Sequence, residues 1–171
     1  MSCASLASAW NFEVRGGGLS QIKIDRYICN MIIDDITTRS EDETLQWAQS
    51  FASKLTRGDV LALHGDLGAG KTVVSRGIAL GLGFTGGVHS PSYALVHEYP
   101  NDPPIYHLDL YRLGPHADLH EIGIEHYSFS EGITLIEWPE RLSGLDVGVH
   151  YEVKIERVNE DTRRITVDSK R

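Results

Sequence analysis

Cysteine and long apolar runs are what this sequence most clearly lacks. Only Cys3 and Cys29 occur among 171 residues, and both lie near the N-terminus. A disulfide scaffold needs paired cysteines spread through a small secreted chain, so we expect a reduced, cytoplasmic protein. No apolar run approaches the roughly 18 residues that cross a bilayer, so no membrane association is expected.

The chain also has fewer cationic than acidic residues. Sixteen Lys and Arg residues stand against 24 Asp and Glu residues, giving a net charge of -8. Affinity for nucleic acid comes mainly from cationic contacts to phosphates, so we expect any nucleic acid to be reached through a partner or a small local patch. The length predicts one globular domain that needs no metal or disulfide to fold.

Residues 1–30 differ from the rest of the chain. They contain Gly16–Gly18 and show no clear periodicity. They lack the apolar core of a secretory signal and the Arg-rich, acid-poor composition of a transit peptide. We therefore expect an N-terminal tail, disordered or preceding a true or alternative start at Met31, followed by one domain over 31–171.

From Met31 onward, strand and helix patterns alternate. Ser40 is predicted to cap a helix that ends near Thr56, and a second helix is expected over 71–80. The predicted strands are 32–36, 59–63, 94–99, 105–110, 133–137, 151–157 and 163–168. The last two predict an antiparallel hairpin at one sheet edge. The fold class is thus a single α/β domain with a mixed, mostly parallel central sheet flanked by helices.

The strongest motif is the octapeptide Gly65–Thr72, which reads GDLGAGKT and fits the P-loop pattern G-x-x-x-x-G-K-[ST]. Its glycines allow the backbone to approach a ligand closely, so successive N–H groups can surround phosphate oxygens. The residues expected to do so are Asp66, Leu67, Gly68, Ala69, Gly70 and Lys71. The Lys71 ammonium can reach the β- and γ-phosphates, and the Thr72 hydroxyl can join the coordination shell of Mg²⁺. A strand precedes the motif and a helix follows, so we predict a nucleotide-binding P-loop domain.

Two acids end predicted apolar strands, as expected for a P-loop enzyme. Asp109 ends one strand and Glu137 ends another. Each is either a solvated charge at a strand end or a functional group, and the pair together with a P-loop favours function. Trp138 is either a cover for the adenine base or ribose, or a core anchor.

Three further features leave alternatives open. Ser90–Tyr93 is either a switch loop that brings hydroxyls to the γ-phosphate or a simple turn. His107 is either a partner of Asp109 or a core histidine. Arg112 is directed at the phosphates, paired with a carboxylate, or exposed to a partner. The cationic C-terminal hairpin is expected to be solvated.

The motifs together resemble the bacterial TsaE-type ATPases over about residues 32–155. The resemblance rests on the P-loop and, in order, on Ser90-Pro91-Ser92-Tyr93, His107-Leu108-Asp109-Leu110-Tyr111-Arg112 and Ile136-Glu137-Trp138. The switch motif of that family usually reads Ser-Pro-Thr, so Ser92 keeps the hydroxyl but loses the stiffer β-branched rotamer.

The resemblance implies an ATPase required for threonylcarbamoyladenosine in tRNA. Its expected cofactors are ATP and Mg²⁺, and its expected partners are TsaD- and TsaB-type proteins, with tRNA met only indirectly. It implies that Thr72 and Glu137 hold Mg²⁺ and that Asp109 is catalytic beside Lys71. It also implies that Trp138 lies in the nucleotide pocket and that the segment Ser40–Glu41 approaches the base.

We therefore expect ATP hydrolysis to serve turnover of a partner complex. A small-molecule kinase and a nucleotide-gated assembly module without significant hydrolysis are the alternatives. The kinase is disfavoured because no Arg-rich lid is present, and a GTPase because no Asn-Lys-x-Asp sequence occurs.

Overall fold

A seven-stranded mixed sheet forms the centre of the computed structural model, which describes residues 31–114 and 117–171. The strands are β1 (Met31–Thr38), β2 (Val60–His64), β3 (Val96–Tyr99), β4 (Ile105–Asp109), β5 (Ile133–Glu137), β6 (Tyr151–Arg157) and β7 (Arg163–Ser169). The helices are α1 (Glu41–Phe51), α2 (Lys71–Gly81), α3 (Leu119–Ile122) and α4 (Ile124–Ser128), with short 3-10 turns at Ala52–Lys54 and Pro139–Leu142.

The strand order is β1-β7-β6-β2-β5-β4-β3. The central strands β6, β2, β5 and β4 are parallel to one another, while β3, β7 and β1 join antiparallel. This confirms the expected fold class. The predicted edge position of the C-terminal hairpin is wrong, because β1 pairs along the outer side of β7 from Met31 to Thr38.

Helices α1 and α2 cover one face of the sheet. Ser40 caps α1 as predicted, its hydroxyl accepting a hydrogen bond from the Glu43 amide at 3.0 Å. The α-helix ends at Phe51, before the predicted Thr56, and a 3-10 turn follows. The helices pack closely because α2 presents Gly77, where a Cβ would lie only 2.6 Å from both Ala48 Cβ and Leu45 O.

Apolar residues are buried on both faces of the central strands. The residues Leu61, Leu63 and Ile78 belong to the core between the sheet and α1 and α2. Leu108 and Ile136 belong to a second core on the opposite face. Strands covered on both faces carry continuous apolar runs, which explains why β2 begins with the sequence VLAL.

The predictions for Cys3, Cys29 and the tail at 1–30 lie outside the described residues. No helix in the part of the chain that the structure describes is both long and apolar enough to cross a membrane.

Candidate nucleotide-binding site

The P-loop connects β2 to α2 at the carboxyl end of the parallel strands, where α/β sheets bind ligands. Its glycines adopt backbone angles that other residues rarely take. Gly70 precedes α2 at φ 114, and Gly65 has φ 149. A Cβ on Gly65 would lie 2.6 Å from the Ile155 carbonyl oxygen on β6, so only glycine fits there. The loop therefore has the compact backbone of an anion cradle.

Lys71, the first residue of α2, is buried against the P-loop, with 5% of its surface exposed. Its Nζ donates hydrogen bonds to the carbonyl oxygens of Gly65 at 2.5 Å and Asp66 at 3.0 Å. The ammonium also lies 3.9 Å from the ring centroid of Trp138. Burial lowers the pKa of Lys71, opposed by nearby carboxylates, of which Glu137 contributes most. An ammonium has three donors, so one remains for a phosphate oxygen.

Glu137 lies next to Thr72 at the start of α2. The Thr72 hydroxyl donates to Glu137 Oε1 at 3.0 Å, and His107 Nε2 lies 2.8 Å from the same oxygen. Both His107 and Glu137 are buried, at 0% and 3% exposed. The end of β5 thus presents a carboxylate whose orientation is held by two neighbours.

Asp109 lies beside Glu137 in the register of β4 and β5. Its Oδ2 accepts hydrogen bonds from the hydroxyls of Ser90 at 2.6 Å and Ser92 at 2.5 Å, and its Oδ1 accepts one from the Tyr111 amide at 3.1 Å. Burial by itself raises the pKa of Asp109, but these three hydrogen bonds outweigh it, and the pKa is lowered. Asp109 is therefore held as a carboxylate.

These groups line one cleft, which has a volume of about 280 Å³. Its lining includes the P-loop, Ser90, Ser92, Asp109, Tyr111, Glu137 and Trp138. A second cleft of about 200 Å³ lies on the other side of Gly68–Gly70. Its lining includes Ser40, Glu41, Thr44, Glu160, Asp161 and Arg163. Gly68 and Gly70 of the P-loop therefore line two polar clefts, and both clefts carry carboxylate and hydroxyl side chains.

Comparison with known proteins agrees with this geometry. The family model described as threonylcarbamoyl adenosine biosynthesis protein TsaE matches residues 38–165. The chain belongs to the TsaE family. The TsaE protein of Bacillus subtilis is 37% identical over 131 residues, which are 75% of this chain and 81% of that protein. The TsaE protein of Synechocystis is 46% identical over 107 residues, which are 60% of this chain and 68% of that protein.

Among solved structures, Bacillus subtilis YdiB is similar to this TsaE-family chain. The TM-score is 0.68 at 33% sequence identity, and the match covers 81% of this chain and 87% of that chain. The likeness therefore extends over nearly all of the described domain, beyond the P-loop itself.

The structure of this TsaE-family protein brings the predicted site residues to the P-loop. One cleft beside the P-loop is lined by Lys71, Thr72, Asp109, Glu137 and Trp138. Ser40 and Glu41 line the second cleft, together with the glycines of the loop. Their roles toward a ligand remain predictions.

The other predicted phosphate-binding residues lie between these two clefts. Leu67 lines the cleft beside Lys71, although its side chain is 71% exposed at the tip of the loop. Gly68 and Gly70 line both clefts, and Ala69 lines the second one. Asp66 contributes the carbonyl oxygen that holds Lys71. Because the Leu67 side chain is exposed, its backbone amide is the part suited to a phosphate, and that role stays a prediction.

Three residues for which the sequence left alternatives open have defined contacts in the structure. Trp138 has its ring 3.9 Å from the Lys71 ammonium and packs against the second core, so both the nucleotide-cover and the core-anchor interpretations stay open. His107 is buried and contacts Glu137, which lies opposite Asp109 on the neighbouring strand, so the core-histidine alternative holds and its polar partner is Glu137. Arg112 stacks on the ring of Tyr93 at 4.1 Å, where both side chains are exposed.

Arg163 makes a contact with the P-loop that the sequence did not predict. Instead of being solvated, its Nε donates a hydrogen bond to the Ala69 carbonyl oxygen at 2.8 Å, so β7 supports the P-loop from 94 residues away. Only its alternation with Arg164 along a strand hinted that one of the two faces inward.

Two side-chain oxygens at this site are suitable ligands for a magnesium ion. Mg²⁺ prefers oxygen ligands and is usually held by one or two protein side chains together with phosphates and water. The Thr72 hydroxyl and the Glu137 carboxylate are such oxygens and lie 3.0 Å apart. Among residues 31–114 and 117–171, no group of three or more His, Cys, Asp or Glu side chains is placed to hold a metal ion. Thr72 and Glu137 would supply two of the oxygens that such an ion needs, alongside phosphates and water.

Proposed function

We propose that this protein is a Mg²⁺-dependent ATPase that acts in threonylcarbamoyladenosine modification of tRNA. Membership of the TsaE family supports the pathway. The gathering of Lys71, Thr72, Asp109 and Glu137 in one cleft beside the P-loop is the observation that supports hydrolysis.

Lys71 and the P-loop amides would bind the β- and γ-phosphates. The lysine is held by the carbonyl oxygens of Gly65 and Asp66, so it occupies one position before a nucleotide arrives. Such preorganisation reduces the entropy that binding must cost. Burial strengthens its interaction with phosphate charge, because few water molecules compete.

Thr72 and Glu137 are the residues that would hold Mg²⁺. When bound, the ion would neutralise charge that develops on the phosphate oxygens. Their placement at the N-terminus of α2 and the end of β5 puts both oxygens on rigid elements.

Asp109 would orient the attacking water. Ser90 and Ser92 supply hydrogens to its Oδ2, which keeps the carboxylate ionised and fixed in direction. The same contacts give Ser90–Ser92 a way to respond to the nucleotide, because a water that donates to Asp109 would displace a serine hydroxyl, and a phosphate oxygen could accept from that hydroxyl instead.

The expected partners are the TsaD- and TsaB-type subunits of the threonylcarbamoyl-transferase complex. In this proposal the chain hydrolyses ATP to permit repeated turnover of that complex and meets tRNA only through it. The net charge of -8 supports indirect contact, because the chain has few cations to bind an RNA backbone.

The test is phosphate release from Mg-ATP by the purified chain, alone and with the two partner subunits. We expect slow release alone, stimulation by the partners, and loss of both in Lys71→Ala. Lys54→Ala provides the matched control, because Lys54 lies in the 3-10 turn after α1 and pairs with Asp34 at 3.5 Å.

Tight ATP binding with no phosphate release in either condition would contradict the ATPase and favour an assembly module gated by nucleotide. Transfer of phosphate to an added small-molecule acceptor, with none released to water, would favour a kinase.

A further inference from the structure

A buried chain of polar groups continues behind Glu137, away from the cleft. Glu137 Oε1 accepts the Thr72 hydroxyl at 3.0 Å on one side and faces His107 Nε2 at 2.8 Å on the other. An ionised carboxylate only accepts hydrogen bonds, so the network assigns the hydrogen of His107 to Nε2. His107 is 0% exposed, which leaves Glu137 little freedom to turn.

The other ring nitrogen of His107 leads to Tyr99. The Tyr99 hydroxyl donates its single hydrogen toward the His89 carbonyl oxygen at 3.2 Å, and its oxygen lies 3.4 Å from both His107 Nδ1 and His97 Nδ1. Tyr99 is itself buried, at 7% exposed, on the edge strand β3. Burial raises the pKa of Tyr99, so the hydroxyl keeps its proton as a donor.

His89 directly precedes the segment whose serines bind Asp109. The path from Thr72 therefore runs through Glu137, His107 and Tyr99 to the backbone of the loop that carries Ser90. Glu137 is thus linked through His107 and Tyr99 to the loop whose Ser90 binds Asp109.

We propose that His107 and Tyr99 are positioning residues, which orient the Glu137 carboxylate toward Thr72 and tie it to the loop at Ser90–Ser92. Neither residue lines the cleft beside the P-loop. The inference rests on the proposed role of Thr72 and Glu137 in holding Mg²⁺, because the orientation of that carboxylate has chemical meaning only toward a shared ion.

The position of the ring nitrogens supports this role over simple packing. Any buried histidine needs hydrogen-bond partners, but here the partner of Nε2 is the same Glu137 oxygen that accepts from the Thr72 hydroxyl. Residues that hydrogen-bond a metal ligand fix its direction, and their substitution typically lowers metal affinity roughly 10–100-fold.

The test measures how much Mg²⁺ is needed for half-maximal binding of a fluorescent ATP analogue to the full chain. We expect His107→Asn to raise this concentration roughly 10-fold or more. His107→Gln should raise it less, because its amide nitrogen lies near the position of Nε2 and can still donate to Glu137. Tyr99→Phe, which keeps the ring, should shift it in the same direction by a smaller factor.

Binding of the same analogue in EDTA separates positioning from general damage. We expect the three variants to match the wild type there, because the P-loop and Lys71 are unchanged. The matched controls are His126→Asn on the exposed side of α4 and Tyr127→Phe, whose hydroxyl donates to Glu98 at 3.1 Å. Both should keep the wild-type Mg²⁺ requirement.

A wild-type Mg²⁺ requirement in His107→Asn and Tyr99→Phe would overturn the inference, and so would an equal loss of binding with and without Mg²⁺. Glu137→Gln distinguishes the two levels of the proposal. If it raises the Mg²⁺ requirement while His107→Asn does not, only the positioning role fails. If Glu137→Gln has no effect, the magnesium assignment fails as well.

Discussion

Asp109 owes its charge to the hydroxyls around it. The side chain is 2% exposed, a setting that disfavours a carboxylate unless hydrogen bonds compensate. Ser90, Ser92 and the Tyr111 amide supply those bonds, and the pKa of Asp109 in the folded protein is lowered as a result. The loss of this carboxylate should therefore affect stability as well as chemistry.

We predict that Asp109→Asn lowers the free energy of unfolding at neutral pH and that this difference shrinks in acid. An unfolded Asp has a pKa of about 3.9. Because the folded pKa lies below that value, the stabilisation by ionised Asp109 is complete above it and is lost as the pH falls through the folded pKa. Urea unfolding of both proteins from about pH 6 to about pH 3 measures the difference. A gap that stays constant over this range would contradict the role given to the serine hydroxyls.

Among the secondary-structure elements, the close approach of α1 to α2 shapes the nucleotide site. Gly77 and Gly81 let the helices meet, since a Cβ on Gly81 would lie 2.3 Å from the Gln49 carbonyl oxygen. The N-terminal end of α1 carries Ser40 and Glu41 into the second cleft, and Glu41 pairs with Arg76 of α2 at 2.5 Å. The distance between α1 and α2 therefore affects the shape of the second cleft.

We predict that Gly77→Ala destabilises the protein by about 1–3 kcal/mol, because the added methyl group must push α1 outward. Nucleotide affinity should fall with it, since Ser40 and Glu41 move with the helix. Thermal unfolding and ATP titration measure the two effects. Gly114→Ala is the control, as a Cβ there meets nothing within 4 Å. A stable Gly77→Ala variant with unchanged affinity would show that the helices separate at no cost.

Across the protein as a whole, distant parts of the chain converge on the P-loop. Arg163 lies in β7, yet its guanidinium supports Ala69 and lines the cleft beside Glu160 and Asp161. A ligand that binds only the folded state stabilises all of these elements together. At 100 times its Kd, the added free energy of unfolding is about 2.7 kcal/mol.

We predict that Mg-ATP raises the melting temperature in a concentration-dependent way and that Arg163→Ala reduces this rise. The reason is that the loop loses one of its supports while the rest of the sheet stays intact. Arg164→Ala is a closely matched control, because Arg164 is exposed on the opposite face and pairs with Asp35 at 3.0 Å. Differential scanning fluorimetry with and without Mg-ATP compares them. An equal rise in both variants would remove Arg163 from the site.

Local patterns predicted most of the elements. Strands β5 and β6 begin and end where the apolar patterns do, and α2 begins at Lys71 as the P-loop requires. These features depend on residues close in sequence, such as glycines at a turn or alternation along a strand. The end of α1 was less predictable, because the choice between α-helical and 3-10 geometry at Ala52–Lys54 depends on packing.

The amino-acid order was enough to predict a P-loop between a buried strand and a helix, with two acids at strand ends. Which residues meet was decided only by folding. Strand register sent His107 to Glu137 rather than to Asp109, and β1 covered the edge expected for the C-terminal hairpin. Folding also brought Arg163 to Ala69. The physical reason is that these contacts join residues far apart along the chain, and their partners depend on strand order and register, which no local pattern encodes.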